Sequence, residues 1–255
     1  LRPAHFAPQG TEHGDVSAET TAFIRSYGYG FYGERPSDER IKQVAKYMVA
    51  DDAQLTAIYP DPIKNQAERE YGLGESFPVG TFLTMPGSFN AGAGLVPVVM
   101  CTDATVNAGY RRKGILRYMM TEAIARGREN GAVLAALVAT EGIIYQRFGF
   151  GVSTRQRHIK VDTGVGFGLR VPTAGRVFTA DPTKMGDLAK ELIGEFHQQT
   201  HGSISQLTRY EDIVRGIIID RDGTTAAKRL RAAIYTDDSG KVAGYVIYTV
   251  KEGAS

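Results

Sequence analysis

The chain has 255 residues, enough for one large domain or two of ordinary size, and its 42% apolar and 23% charged residues are typical of a soluble globular protein. The net charge of +2 argues against nucleic acid or an anionic membrane as the main partner. The single cysteine excludes an internal disulfide and a cysteine-rich zinc site, and it favours a reducing, cytoplasmic setting. No apolar run approaches the roughly 18 residues of a membrane-spanning helix, and residues 1–14 lack a signal-peptide pattern.

The first hundred residues predict a helix and three strands. Residues 1–22 are polar and interrupted by Gly and Pro, so we expect ordered structure to begin at about residue 22. Pro36 and Ser37 open a helix, because apolar residues recur after them at spacings of three and four. A charged loop or short helix ends near Phe77. The predicted strands cover residues 55–59, 79–85 and 96–106.

The clearest unit follows the third strand. That strand ends near Val106, a short basic loop comes next, and a helix extends to about Asn130, where Gly131 suits its C-terminus. One helical face carries the apolar stripe Ile115, Leu116, Met119, Met120, Ala123 and Ile124. The apolar run 133–138 predicts a strand buried on both faces, joined to the preceding strand by a parallel crossover.

The remaining residues predict a second α+β region after a glycine-rich linker at 164–168. A strand at 157–161 closes the first region. The second region contains helices at 183–196 and 210–219, then strands at 230–235 and 242–250 joined by the turn 237–240. Residues 57–61 and 79–82 resemble residues 233–237 and 242–245, which predicts two related halves.

The loop before the central helix carries the strongest chemical signal. Arg111, Arg112, Lys113 and Gly114 stand between a strand and a helix N-terminus, where unpaired N–H groups and the helix dipole favour a pyrophosphate. The alternative interpretation is a solvated basic loop. The strand–loop–helix context favours the phosphate site.

This loop resembles the Arg/Gln-x-x-Gly-x-Gly/Ala loop of the GCN5-related N-acetyltransferases (GNAT), with Leu116 in place of the last small residue. The chain resembles one branch in particular, the enhanced intracellular survival (Eis) proteins, which acetylate amines. The resemblance is carried by residues 111–117, 135–142 and 144–151, and more weakly by residues 196–199.

The resemblance implies an α/β fold of the GNAT type, with a mixed sheet, a splayed central strand pair and tandem GNAT-like halves. Residues 1–155 would form the acetyl-CoA-binding domain, and residues 156–255 a second, incomplete domain without a cofactor loop. In Eis-like proteins a sterol-carrier-like domain follows, and the C-terminal carboxylate acts as general base. We expect that domain to be absent from this chain, which ends at Ser255, or the sequence to be truncated.

The resemblance also implies the site residues. Acetyl-CoA would be the cosubstrate, and Tyr145 would be the general acid that protonates the leaving thiolate. A phenol has a pKa near 10 and a thiol near 8.5, so the site must lower the phenol pKa or accept an uphill transfer. The expected cofactor-binding residues are Ala104, Thr105 and Val106 on the strand, Arg111, Arg112, Lys113, Gly114, Ile115, Leu116 and Arg117 in the loop and helix, and Thr140 and Glu141 near the reactive end.

The implied function is acetyl transfer to a primary amine by direct attack. The acceptor would be a small molecule of the aminoglycoside or polyamine type, or a lysine. The aromatic, uncharged segment 27–33 departs from the acidic aminoglycoside pocket of the family and could line a different pocket or form core. Eis-like proteins are hexamers, so a homo-oligomer is expected, without a nucleic-acid or membrane partner.

Other interpretations stay open or fail. Tyr145 could instead be a core aromatic on a short helix at 142–148. The chain could be a CoA-binding regulatory module without turnover, or an anion-binding module for nucleic acid, which the near-neutral charge disfavours. His197 and His201 have zinc-helix spacing, but Gln198 stands where a metalloprotease needs Glu, so we expect no metal. Cys101 is expected to be a buried structural thiol rather than an acyl carrier.

Overall fold

The computed structural model of the chain describes residues 1–10, 15–139, 141–153, 166–168, 174–219 and 229–250. Eight strands lie in these ranges: β1 (Arg2–Phe6), β2 (Gln54–Tyr59), β3 (Gly80–Asn90), β4 (Leu95–Val106), β5 (Leu134–Leu137), β6 (Arg176–Ala180), β7 (Leu230–Thr236) and β8 (Val242–Thr249). The same ranges hold seven α-helices: α1 (Ala18–Gly30), α2 (Asp38–Ala50), α3 (Gln66–Tyr71), α4 (Ile115–Glu129), α5 (Ile143–Gln146), α6 (Gly186–Gln199) and α7 (Arg209–Arg215).

The first sheet is mixed and has the order β1-β2-β3-β4-β5. Strands β1 to β4 are antiparallel, whereas β5 is parallel to β4 and follows it through α4. The β4–β5 ladder ends at the pair Cys101↔Leu137, but β4 stays paired with β3 as far as Val106. The last five residues of β4 therefore separate from β5, which confirms the predicted mixed sheet with a splayed central pair.

Helices cover both faces of this sheet. The side chains of α1 and α2 pack with Leu55 and Leu83 on one face, and those of α4 pack with Phe82 and Val99 on the other. The opposite directions of Leu83 and Phe82 follow from the alternation of side chains along a strand. The predicted stripe of α4 lies in this second cluster, with Met119 and Met120 fully buried.

The second sheet is antiparallel, in the order β6-β7-β8, and α6 and α7 pack on it. Its element order, β6–α6–α7–β7–β8, matches the order β1–α1–α2–β2–β3 of the first part apart from the short α3. This likeness agrees with the predicted tandem halves, whose kinship stays a prediction. The two parts are joined by buried contacts, including a hydrogen bond of 2.6 Å that Tyr47 Oη donates to Asp212 Oδ2.

Four predictions about elements were incomplete or wrong. Ordered structure begins at β1, because its backbone pairs with the distant β2, and β6 is likewise held by β7. Strand β5 is not buried on both faces: Leu134 is 45% exposed at the edge of the described sheet. Helix α7 ends at Arg215 rather than residue 219, because Gly216 takes a left-handed φ of 70°.

The predicted strand at 157–161 and most of the linker at 164–168 lie outside the described residues. Within the described ranges, no helix is both long and apolar enough to cross a membrane.

Candidate active site

The loop between β4 and α4 presents unpaired backbone donors. Gly114 immediately precedes α4 with a left-handed φ of 80°, and no side chain caps the helix. The N–H groups of Ile115, Leu116 and Arg117 belong to the first turn, where no intrahelical acceptor exists. Arg112 also adopts a left-handed φ of 62°, which is costly for a residue with a side chain. The loop is thus held in a shape that exposes the helix N-terminus, as an anion site requires.

The cations of this loop are solvent-exposed. Arg111 Nη2 donates a hydrogen bond of 3.2 Å to Tyr32 Oη, and Lys113 Nζ lies 4.6 Å from the centre of the Tyr110 ring. Arg112 and Arg117, which precede and follow Gly114 in the chain, are exposed as well. The exposed cations can therefore meet a phosphate.

Two of the predicted cofactor-binding residues, Ile115 and Leu116, have side chains that pack in the core. Ile115 is buried and Leu116 is partly buried, and both pack in the cluster under α4. Only their backbone N–H groups are positioned for a ligand, because their side chains face the core. A small residue is therefore not required at position 116 for the helix to start.

The separated end of β4 is the second component of the site. Ala104 and Val106 are partly buried, and Thr105 is buried with its hydroxyl 2.7 Å from that of Thr81. Their backbone edge on the β5 side has no ladder partner among the described residues, because strand β5 and its ladder with β4 end at Leu137. The predicted strand edge and the phosphate loop are thus consecutive, with the edge leading into the loop.

Tyr145 lies on α5, a single helical turn, with its ring partly buried. It meets Phe150 edge to face at 6.1 Å and belongs to the same cluster as Cys101. Burial raises the pKa of the Tyr145 phenol, and Glu141 and Cys101 raise it further. The packing expected of a core aromatic is therefore present, and the acid role stays a prediction. Glu141 is exposed beside this turn, and Thr140 lies outside the described residues.

Cys101 and His197 have structural surroundings. Burial raises the pKa of the Cys101 thiol to about 12, so almost no thiolate forms at neutral pH. His197 is buried, with Nε2 2.8 Å from Ser88 Oγ and Nδ1 2.8 Å from Ser203 Oγ, which fastens α6 to β3. In the described ranges, no group of three or more His, Cys, Asp or Glu side chains could hold a metal ion.

Asp103 is the residue that the sequence reasoning missed. It occupies a β-bulge in β4, where the register against β3 shifts between Thr81 and Leu83. Burial raises the pKa of its carboxyl to about 6, although the Thr102 hydroxyl and Arg209 oppose the shift. The available signal was a Thr–Asp pair interrupting an otherwise apolar strand, which indicates a local break in the pairing.

Comparison with known proteins places this geometry in a family. Residues 17–153 match the family model described as an acetyltransferase (GNAT) domain. The chain belongs to this GNAT acetyltransferase family. The match spans β2 to β5, the loop and α5, so it includes every component of the site described above.

Among curated relatives, an uncharacterized N-acetyltransferase of Streptomyces avermitilis is 30% identical over 91% of this chain and 53% of its own length. The N-acetyltransferase Eis of Mycobacterium tuberculosis is 38% identical over 31% of this chain and 19% of its own length. The chain spans about half the length of the Streptomyces relative, which it matches over most of its own residues. The resemblance to the Eis branch is thereby confirmed.

The fold is found in solved structures of low sequence identity. A probable N-acyltransferase of Enterococcus faecalis aligns with 99% of this chain and 56% of its own, at a TM-score of 0.66 and 17% identity. Eis1 of Mycobacterium abscessus aligns with 98% of this chain and 54% of its own, at a TM-score of 0.62 and 16% identity. These alignments extend through both sheets and confirm the fold.

Proposed function

We propose that the protein transfers an acetyl group from acetyl-CoA to a primary amine by direct attack. The observation that carries this proposal is the succession, within one GNAT domain, of a separated β4 edge, a left-handed Gly114 and an uncapped α4. The names of the relatives, which are N-acetyltransferases, support the reaction class.

The residues present fit acetyl-CoA. A pyrophosphate would bind the first-turn N–H groups of α4, with Arg111, Arg112, Lys113 and Arg117 adding charge. The pantetheine arm, which contains amide groups, would pair with the backbone of residues 104–106 along the separated edge. Acetyl-CoA supplies the activated acetyl thioester.

The chain supplies two further groups for the transfer. A backbone N–H at the end of the β4–β5 ladder would stabilise the oxyanion. The Tyr145 hydroxyl would deliver a proton to the leaving sulfur. Because the phenol pKa is raised above 10, the transfer to a thiolate of pKa near 8.5 is uphill by at least about 2 kcal/mol. The sequence left open either a lowered phenol pKa or an uphill proton transfer, and the raised pKa favours the uphill transfer.

The amine acceptor would approach past the aromatic segment at the end of α1. Tyr29 and Phe31 are 56% and 48% exposed there, and Tyr32 bonds Arg111 of the loop. An uncharged aromatic surface can pack against the apolar stem of a polyamine or a lysine side chain, or against the apolar face of an amino sugar. We also propose a cytoplasmic homo-oligomer, supported by the single cysteine and by the family resemblance.

A matched pair of variants tests the cofactor site. Gly114→Asn and Gly114→Asp share size and tolerate a left-handed backbone, but only Asp adds a negative charge beside the pyrophosphate. By calorimetry we expect the unmodified chain to bind acetyl-CoA, the Asn variant to bind within about fivefold, and the Asp variant to lose at least about tenfold. Equal affinities for the two variants would refute the phosphate site.

Turnover separates the enzyme from a CoA-binding regulatory module. Thiol release from acetyl-CoA is followed with an aminoglycoside, spermidine and a lysine peptide as acceptors. The enzyme releases CoA with at least one of them, and Tyr145→Phe lowers kcat by about 100-fold without weakening acetyl-CoA binding. Binding without turnover, with all acceptors, would favour the regulatory module.

A further inference from the structure

Helix α1 ends in a turn that is usually completed by glycine. The N–H of Gly33 donates to the carbonyl of Gly28 at 2.9 Å, and the N–H of Tyr32 donates to that of Tyr29 at 3.0 Å. These two bonds define a Schellman motif, in which the first residue past the helix cap takes a left-handed conformation and is most often glycine. That residue is Tyr32, with a φ of 55°, so a large side chain stands where the backbone disfavours one.

The stability of the fold does not account for this tyrosine. Tyr32 is 81% exposed, so burial of its ring contributes little. Within the part of the chain that the structure describes, its side chain makes one hydrogen bond, which Arg111 Nη2 donates to Tyr32 Oη at 3.2 Å. That bond is exposed to water and adds little net stability. Glycine would complete the turn without strain, so a role in ligand binding is the better explanation.

Close packing places the end of α1 beside the phosphate loop. A Cβ added to Gly30 would lie 2.5 Å from Thr105 Cβ, so glycine is what lets the last turn of α1 approach the separated end of β4 this closely. Tyr29, in the same turn, meets Phe77 edge to face at 6.2 Å. The turn is therefore supported from two sides, and its approach to the loop does not depend on the hydroxyl of Tyr32.

The guanidinium of Arg111 is held at two of its three nitrogens. Nε donates a long hydrogen bond of 3.4 Å to the carbonyl of Val106 at the end of β4, and Nη2 donates to Tyr32 Oη. The N–H groups of Nη1 donate no hydrogen bond to the described residues. The group is thus fixed between β4 and α1 and keeps donors for an anion, in the planar arrangement that suits a phosphate.

We propose that Tyr32 is a positioning residue that orients Arg111 for the pyrophosphate of acetyl-CoA. Because the phenol oxygen already holds the guanidinium, cofactor binding does not first have to order this long side chain. Once the cofactor displaces water from the loop, the bond between Tyr32 and Arg111 becomes stronger. The ring of Tyr32 stays in the aromatic segment past which the acceptor would approach. This role rests on the proposed acetyl transfer, since it concerns how the donor is held.

Five variants of the full chain test this role. Tyr32→Phe removes the hydroxyl and keeps the ring and the left-handed backbone, whereas Tyr32→Gly removes the side chain and the strain together. Arg111→Met removes the guanidinium, and the double variant Tyr32→Phe/Arg111→Met completes a thermodynamic cycle. Tyr71→Phe is the matched control, because Tyr71 is 80% exposed and lies on α3, outside the loop and the aromatic segment.

Calorimetry measures the affinity of each variant for acetyl-CoA. We expect Tyr32→Phe and Tyr32→Gly to bind about three- to tenfold more weakly than the unmodified chain, and Arg111→Met at least about tenfold more weakly. The double variant should be within about twofold of Arg111→Met, because the hydroxyl acts through the guanidinium. Tyr71→Phe should bind like the unmodified chain. In urea, Tyr32→Gly should unfold at the same or a higher concentration, since the strain is relieved.

A truncated donor separates orientation of Arg111 from distortion of α1. S-acetylpantetheine carries the thioester and the pantetheine arm but has no pyrophosphate. With the best acceptor of the panel above, Tyr32→Phe should lower kcat/KM for acetyl-CoA by about the factor measured in affinity, through KM rather than kcat. The kcat/KM for S-acetylpantetheine should stay within about twofold. A distorted helix would lower kcat/KM for both donors alike.

Three results would overturn the role of Tyr32 and leave the acetyl transfer standing. They are a loss of affinity below about threefold in Tyr32→Phe, losses that add in the double variant, and equal losses with the two donors. If the unmodified chain binds acetyl-CoA but acetylates no amine, the proposed transfer fails, and the calorimetric cycle still decides the role of Tyr32. If the unmodified chain does not bind acetyl-CoA, both proposals fail.

Discussion

The partly buried carboxyl of Asp103 should destabilise the fold at neutral pH, and Asp103→Asn should remove that penalty. The pKa of this carboxyl rises from 3.8 to about 6, roughly two units, and each unit corresponds to about 1.4 kcal/mol. Ionising Asp103 in the folded protein therefore costs at most about 3 kcal/mol. The Asn variant avoids this cost, tolerates the φ of 52° and gives up one long hydrogen bond to Thr102.

The sign of the pH dependence follows from proton linkage. Between pH 4 and pH 6 the folded chain holds a proton on Asp103 that the unfolded chain has released, so its stability falls as the pH rises. Above pH 6 the penalty is constant, and below pH 4 it vanishes. We expect Asp103→Asn to be more stable than the unmodified chain by about 1–3 kcal/mol at pH 7.5, and by nearly nothing at pH 4.

The assay is urea unfolding at pH 4, 5, 6 and 7.5, followed by far-UV circular dichroism because the chain has no tryptophan. Other carboxyls also titrate in this range, but they titrate equally in both chains and cancel from the difference. A difference in unfolding free energy that stays constant from pH 4 to 7.5 would refute the raised pKa. A less stable Asn variant at pH 7.5 would show that the carboxylate is a net stabiliser of the bulge.

Three substitutions elsewhere test the loop, the junction and the packing of α4. Arg112→Gly relieves a left-handed φ of 62°, so urea unfolding should show stability unchanged or raised by up to about 1 kcal/mol, while calorimetry shows weaker acetyl-CoA binding. Tyr47→Phe leaves the buried side chain of Asp212 in α7 without the hydroxyl that donates to it at 2.6 Å. The free energy of unfolding should fall by about 1.5–3 kcal/mol, in one cooperative transition. Two separate transitions would contradict a rigid junction between the two parts. Gly127→Ala places a Cβ 2.7 Å from Val99 Cγ1 and should cost about 1–3 kcal/mol, whereas the helical control Gly194→Ala, which meets nothing within 4 Å, should be neutral or stabilising.

The sequence predicted best the elements whose signals are local. The crossover from β4 through α4 to β5 was predicted with ends within a few residues, because the amphipathic stripe, the loop cations and Gly131 lie within about 40 consecutive positions. Ser37 was predicted to begin α2, and its hydroxyl does accept a hydrogen bond from the N–H of Arg40. The turn at 237–240 also forms, since the Asp237 carboxylate accepts hydrogen bonds from Ser239 and Lys241.

Elements that depend on distant partners were missed. Strand β1 has a short, proline-containing sequence, and only its pairing with residues about 50 positions away makes it a strand. The exposure of β5 could not be read from its apolar sequence, which fits an edge strand as well as a buried one. The bulge at Asp103 depends on register against β3, and no pattern in β4 alone specifies register.

Backbone strain gives an argument for the site that is independent of family resemblance. Among the described residues, four without the freedom of glycine have a left-handed φ: Tyr32, Asp52, Asp103 and Arg112. Asp52 lies in the turn after α2. The other three lie around the proposed site, because Tyr32 is bonded to the loop, Asp103 lies on the separated edge of β4 and Arg112 lies within the loop. Such conformations cost about 1–3 kcal/mol each and persist where the surroundings enforce them, which occurs most often at functional sites. Two of these strained positions, Tyr32 and Arg112, are those to which we assign acceptor contact and phosphate binding, and relieving the strain at Arg112 should separate stability from binding.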